Sequence, residues 1–379
     1  MIDAGLFARL AARIDSYTEA MIEMQCSLTA IPALAPDNDG DGELEKSRLI
    51  HSYLQRFGFP PAVEINAPDP RVSSGIRPNL VVALPGKDPR QRVWILTHMD
   101  IVPPGDLKLW SRDPYQCCVK DGKIVGRGTE DNQQDLVASI FAVKAFLDEG
   151  IMPEKSIGLA FVADEETSSL RGLDYILSHP ANPFLKSDLL LVPDSGNERG
   201  SIIEVAEKSI FWLRIQTSGK QCHASKPGLG KNAFLAASHL VVRLNDLHQL
   251  FGAQDQLYEP PGSTFQPTKK EANVPNVNTI PGSDVFYLDC RVLPLYPLPE
   301  ILSAIRAMAD EIEQRFAVAI EITTVQQVQA PPPTPHDSPV VLALQQAIRD
   351  VYHIPAVPAG IGAGTVAAHF RHHGYPAAV

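Results

Sequence analysis

The sequence has no long hydrophobic run. Nothing in it approaches the ~20 apolar residues that a membrane-spanning helix needs. Residues 1–12, interrupted by Asp3 and Arg9, lack the apolar core of a secretory signal, which predicts neither a membrane segment nor export. Positive charge is not in excess either. With 33 Lys+Arg against 44 Asp+Glu, the net charge of −11 argues against nucleic-acid and anionic-membrane partners. Cysteine is scarce: Cys26, Cys117, Cys118, Cys222 and Cys290 make an odd count with no CxxC. They read as reduced thiols of a cytoplasmic protein, each a small buried apolar residue rather than a catalytic one. No internal repeat is visible. The 379 residues exceed one ordinary core and predict two domains.

The richest stretch runs from 94 to 135. The apolar run Trp94-Ile95-Leu96 ends in Thr97-His98-Met99-Asp100. Alternate side chains of a strand share a face, so His98 and Asp100 can serve one site, as a metal ligand and the group that orients it. The stretch closes with Gly126-Arg127-Gly128-Thr129-Glu130-Asp131, a carboxylate in a Gly-rich turn before a helix. Two more apolar strands end in acids, one at Asp164-Glu165-Glu166 and one at Asp194. Ligands of open α/β sheets bind at the carboxyl ends of strands. Each piece has an ordinary alternative: a hydrogen-bonded His at a strand end, an Asp N-cap, acidic residues complementing a helix N-terminus. Together they predict a metal site.

In chain order, apolar spacing predicts a helix over 3–30 and a second over 43–57. Residues 35–42, APDNDGDG, read as a solvated turn rather than a calcium loop. Strands follow at 79–84, 93–97, 156–163 and 188–192, with a helix over 132–148. Beyond 209 the order is strand (210–217), helix (232–250), strands (276–280 and 285–292), helix (298–316), strand (318–325). That is the βαββαβ ferredoxin-like unit, inserted into the first domain. The Pro-rich segment 330–336 is the return linker, followed by a helix at 339–352 and a strand at 375–379. The expected domains are 1–208, an inserted 209–327, and 328–379.

Imidazole and carboxylate ligands without thiolate suit zinc, with cobalt or manganese possible. A two-metal site needs a shared carboxylate, terminal ligands on each ion and a base for the bridging water, and adjacent Glu165-Glu166 can divide ligation from base work. THMDIVPPGD, GRGTEDNQQ, FVADEET, VPDSG, GKQCHASKP, NTIPG and GAGT occur in this order. The chain resembles the di-zinc aminoacylase/carboxypeptidase metallopeptidases, which include acetylornithine deacetylase and succinyl-diaminopimelate desuccinylase.

The resemblance implies a zinc-peptidase-like α/β/α catalytic domain carrying the inserted ferredoxin-like unit as lid and dimerisation domain. It implies His98 on one zinc with Asp100 orienting it, and Asp131 bridging both ions before a cis peptide to Asn132. Glu165 would be general base and then acid, Glu166 a ligand of the second zinc, and Asp194 a ligand of the first. His223 would contact the oxyanion, often from the partner subunit. Asn278 and Arg291 would bind substrate, with Gly362, Gly364 and Thr365 forming a backbone loop around it. Family members carry a further His ligand downstream of GAGT that no residue here matches, so the second site is expected to be incomplete over these residues. His369, His372 and His373 lie on a predicted helix and are not promoted to that role. The implied reaction is amide hydrolysis of a small N-acyl amino acid. The alternatives are a dipeptidase or carboxypeptidase, and a non-catalytic metal-binding protein.

Overall fold

A computed structural model describes residues 3–379. The chain divides into two compact units. The first takes the chain up to Ile203, then Thr334–Val357 and His369–Val379; the second takes Glu204–Pro333 and Pro358–Ala368. The structural divisions thus fall near 203 and 333, where sequence reasoning put 208 and 327, and the Gly-rich 358–368 segment goes with the second unit.

The first unit is built on a six-stranded mixed sheet. Its order is Val63–Glu64, Leu80–Leu84, Lys155–Val162, Asp88–His98, Leu189–Leu191, Ala377–Ala378. The last four strands run parallel. Phe161 and Val162 are buried level with Thr97 and His98, and Ile95 lies level with Leu191. Three acidic strand ends are thereby delivered to one edge. The helices Thr18–Thr29, Leu44–Arg56 and Gln134–Asp148 cover one face, packing Met24, Leu28, Ile50, Leu54, Ile140 and Phe141 against Leu80, Val82, Leu159 and Phe161.

The expected single N-terminal helix is two, Ala4–Asp15 and Thr18–Thr29. The break lets the Tyr17 ring pack at a tilt against Phe141 and its hydroxyl donate to Asp148 at 2.6 Å. Segment 35–42 is a turn in which Asp37 pairs with Arg71 and Asp41 accepts from Ser73. The reading of all five cysteines as thiols is corrected: Cys26 and Cys117 form a disulfide, leaving Cys118, Cys222 and Cys290 free. The partners lie 91 residues apart, beyond the reach of any local spacing rule.

The second unit holds a four-stranded antiparallel sheet ordered Thr264–Lys270, Ser283–Val292, Ser209–Ser218, Ala319–Val328. The helices Ala233–Arg243 and Leu298–Phe316 pack on it through Leu240, Ile301, Ile305 and Met308. This is the ferredoxin-like arrangement, with one correction. The second strand is Thr264–Lys270, not 276–280. Pro267 within it reads as a strand breaker, yet an edge strand tolerates the missing N–H. Thr279–Ile280 instead pairs with Cys222–His223. Among the described residues no helix is long and apolar enough to cross a membrane.

Candidate metal centre

His98 ends its strand fully enclosed, 1% exposed. Its backbone N–H donates to Asn132 Oδ1 at 3.2 Å, and Asn132 Nδ2 donates onward to the Pro193 carbonyl at 3.4 Å. One amide side chain therefore ties two strand-end segments to the turn that precedes the Gln134–Asp148 helix. His98 Nδ1 faces the Asp100 carbonyl at 3.0 Å, while Nε2 lies 3.0 Å from Asp131 Oδ1 and 3.5 Å from Asp194 Oδ1. These three residues are the one group among those described whose ligand atoms all fall within 4.8 Å of one another.

Asp131 reaches this point because the expected helix starts later than its pattern suggests. Asp131 and Asn132 have non-helical dihedrals and are joined by a cis peptide, and the regular helix begins at Gln134. Gly128 precedes them at φ +80, where a Cβ would meet Ile101 Cγ2 at 2.5 Å, so this turn requires glycine. Two side chains of the Thr18–Thr29 helix hold the segment: Gln25 Nε2 donates to the Thr129 carbonyl (2.6 Å) and Thr29 Oγ1 to Gln133 Oε1 (2.8 Å).

Asp100 faces the opposite way from the Asp131 side of the imidazole. Its Oδ1 accepts the backbone N–H of Glu165 at 3.1 Å and its Oδ2 that of Glu166 at 2.9 Å. The two glutamates are thus fixed at their backbones. Burial pushes the Glu165 carboxyl up to about 8, opposed by His98 and reinforced by Asp194, Asp100 and Glu166. Burial likewise pushes Glu166 up to about 7, with Asp131 its strongest charged neighbour. Burial pushes the His98 pKa down, but the carboxylates of Asp100, Asp131 and Asp194 around the ring outweigh it and hold it well above the ordinary range.

Does this donor set suit a metal? Among the described residues Glu166 Oε1 and Asp194 Oδ1 are buried with no hydrogen-bond partner. Orphaned buried carboxylate oxygens are costly. Together with an imidazole nitrogen and the Asp131 carboxylate, they form the hard-to-borderline oxygen and nitrogen set that divalent ions take. The residues fit.

A cavity of about 860 Å³ opens over Asp131 and Asp194. Glu130, Asp135 and Glu198 make its lining acidic. Sequence reasoning missed Asp135, which burial and the neighbouring Asp194 push up to about 7.

The expected substrate residues belong to the second unit. His223 is exposed, and its Nδ1 accepts from Ser225 N at 3.2 Å, which leaves Nε2–H as a free donor. Asn278 accepts the Ala224 N–H through its carbonyl at 2.8 Å. Arg291 is more committed than expected: Nε and Nη2 pair with Asp289 at 2.8 and 3.1 Å, and Nη1 donates to the Gly362 carbonyl at 2.8 Å. Thr365 donates to Glu207 at 2.7 Å, and a Cβ on Gly364 would touch only Ile210, at 3.6 Å. His369 and His373 turn to Asp174, at 3.0 and 3.4 Å, and do not join the centre.

Comparison with known proteins places the chain in a family. The profile of Peptidase family M20/M25/M40 matches residues 94–379. An uncharacterized metallohydrolase of Methanococcus maripaludis is 38% identical over 388 residues, covering 96% of this chain and 92% of its own. The succinyl-diaminopimelate desuccinylase of Rhodospirillum centenum is 30% identical over 60% of this chain and 58% of its own. Human carnosine dipeptidase 1 shares the fold, with a TM-score of 0.73 at 16% identity over 98% of this chain and 91% of its own. The chain therefore belongs to Peptidase family M20/M25/M40 and is a hydrolytic enzyme of the divalent-metal-using kind.

Proposed function

We propose that this enzyme hydrolyses the amide bond of a small N-acyl amino acid, in the manner of a desuccinylase or deacetylase, using two zinc ions. The observation that carries the reading is the convergence of His98 Nε2, Asp131 and Asp194 at 3.0–3.5 Å beside Glu165 and Glu166, whose backbones share Asp100. His98, Asp131 and Asp194 would hold one ion, and Asp131 and Glu166 the other. Bound there, a divalent ion supplies Lewis acidity, which polarises a carbonyl and acidifies water.

The protein's own groups do the rest. Glu165, raised toward neutral pH by burial, takes the proton of the attacking water on its carboxylate and passes it to the leaving amine. Asp100 holds the His98 ring and both glutamate backbones still. His223 donates its Nε2–H to the carbonyl oxygen as charge develops there. Arg291 presents its remaining N–H groups to the substrate carboxylate, with Asn278, Gly364 and Thr365 alongside. A homodimer through the second unit would supply His223 from the partner subunit.

The acidic cavity lining favours a second reading. Glu130, Asp135 and Glu198 would attract an ammonium group, which a dipeptide carries at its free amino terminus. The test is one zinc-loaded sample, with metal content measured by elemental analysis. It is assayed against N-succinyl and N-acetyl amino acids and against dipeptides. Turnover of the acyl substrates supports the first reading, turnover of dipeptides alone supports the second, and metal binding without any turnover overturns both. Light scattering at micromolar concentration decides the dimer.

A further inference from the structure

Behind the metal centre lies a group of enclosed charges that the hydrolytic reading does not use. Arg77 and Glu43 are both 0% exposed. Arg77 Nε donates to Glu43 Oε2 at 2.6 Å, and Nη2 donates to the other oxygen, a two-pronged pair. The pair does not end on itself. Glu43 Oε1 also accepts the backbone N–H of Asp164 at 3.4 Å, and Arg77 Nη1 lies 3.4 Å from Asp164 Oδ1. Gly42, at φ +78, leaves the room that Arg77 occupies, since a Cβ there would meet its Cδ at 3.2 Å. The Lys46 head is likewise buried and, among the described residues, has no hydrogen-bond partner.

Asp164 is the residue immediately before the two glutamates. It sits at φ +64, a conformation that side-chain-bearing residues seldom adopt and that persists only where the surroundings enforce it. Its carboxylate accepts Thr167 Oγ1 at 2.6 Å, Ser168 Oγ at 2.7 Å and the Arg171 N–H at 3.1 Å. A buried ion pair is seldom more stabilising than apolar residues of the same volume. What it adds is direction, because charge-assisted hydrogen bonds have fixed geometry.

We infer that Arg77 and Glu43 are positioning residues: they lock Asp164 in its left-handed turn and so aim Glu165 and Glu166 at the metal centre. The inference rests on the proposed roles of those glutamates, but it can be read without substrate. In Arg77→Lys the charge stays and the two-pronged contact is lost; in Glu43→Gln the shape stays and the charge is lost.

The experiment is amide hydrogen exchange of the zinc-loaded protein, wild type against each variant, with steady-state kinetics on the same samples. Exchange across residues 164–172 is expected to quicken at least about tenfold more than in other segments, whatever the shift in Tm, and zinc content to fall as Glu166 loses its aim. In step with it, kcat should fall at least about tenfold while KM stays within about twofold. Unchanged exchange in 164–172 in both variants overturns the inference. So does faster exchange spread evenly over the protein with a lowered Tm, which marks the pair as a folding contribution only. If Arg77→Lys does not fold, Glu43→Gln decides alone. A wild type without turnover sinks the hydrolytic reading, and the exchange comparison still decides this one.

Discussion

His98 turns its Nδ1 to the backbone carbonyl of Asp100, 3.0 Å away. A carbonyl oxygen only accepts, so Nδ1 carries a proton and Nε2 is the nitrogen left for Asp131, Asp194 or a cation. The Asp100 side chain meanwhile holds Glu165 and Glu166. Asp100→Asn keeps the carbonyl but puts N–H groups where one glutamate amide now donates. Metal affinity or activity should fall by about 10–100-fold, measured by competition with a chromophoric chelator and by kinetics. A change under twofold would remove Asp100 from the site.

Glu165→Gln keeps size and the backbone bonds to Asp100 and loses only the proton-accepting oxygen. Turnover should drop by about 10²–10⁴-fold, with zinc content near that of the wild type. Full activity in this variant would eliminate Glu165 as the base.

Stability of the metal-free protein should depend on pH in a definite sense. Burial raises Asp135 and Glu166 to about 7 and Glu165 to about 8, from ordinary values of 4.5 for Glu and 3.8 for Asp. The folded form keeps protons that the unfolded chain has released, so their stabilising effect is complete at low pH and is lost as pH rises toward 8. Each unit corresponds to about 1.4 kcal/mol. Calorimetry with chelator present should show Tm falling from about pH 5 to about pH 8, while the zinc-loaded protein changes much less, because a bound cation offsets the same charges. A chelated protein with a flat profile would contradict the buried placement of these groups.

The Cys26–Cys117 bond joins residues 91 apart. Loop-closure reasoning gives about 4–5 kcal/mol of stability for such a span. Urea unfolding of Cys117→Ser, or of reduced protein, should show a lower midpoint with a similar slope. Equal midpoints would mean that the bond does not constrain the unfolded chain.

What the sequence disclosed, it disclosed through local pattern. His98 and Asp100 two apart at a strand end, Glu165-Glu166 after an apolar run and Asp131 after a Gly-rich turn are short-range signals, and the structure brings them to one sheet edge. The ferredoxin-like unit was legible in the same way, apart from the Pro267 strand. Glu43 and Arg77 were not, because each resembles a surface residue of a helix start or a loop, and only the tertiary fold encloses them together. Cys26 and Cys117 escaped for the same reason, as partners with no shared local context.

The discontinuity of the first unit also bears on how the protein acquires its shape. Leu190 pairs with Ala377, with the second unit's sheet strands and helices lying between them in the chain. Contacts of such long separation close late, because the intervening chain must first surrender its freedom. The second unit's sheet pairs strands drawn from within a continuous segment, Ser209–Ser218 to Ala319–Val328, and can form without waiting for the rest. The expected order is an early inserted unit and a late parallel edge beside Leu189–Leu191, so the sheet that carries Asp194 would be among the last parts to consolidate during synthesis.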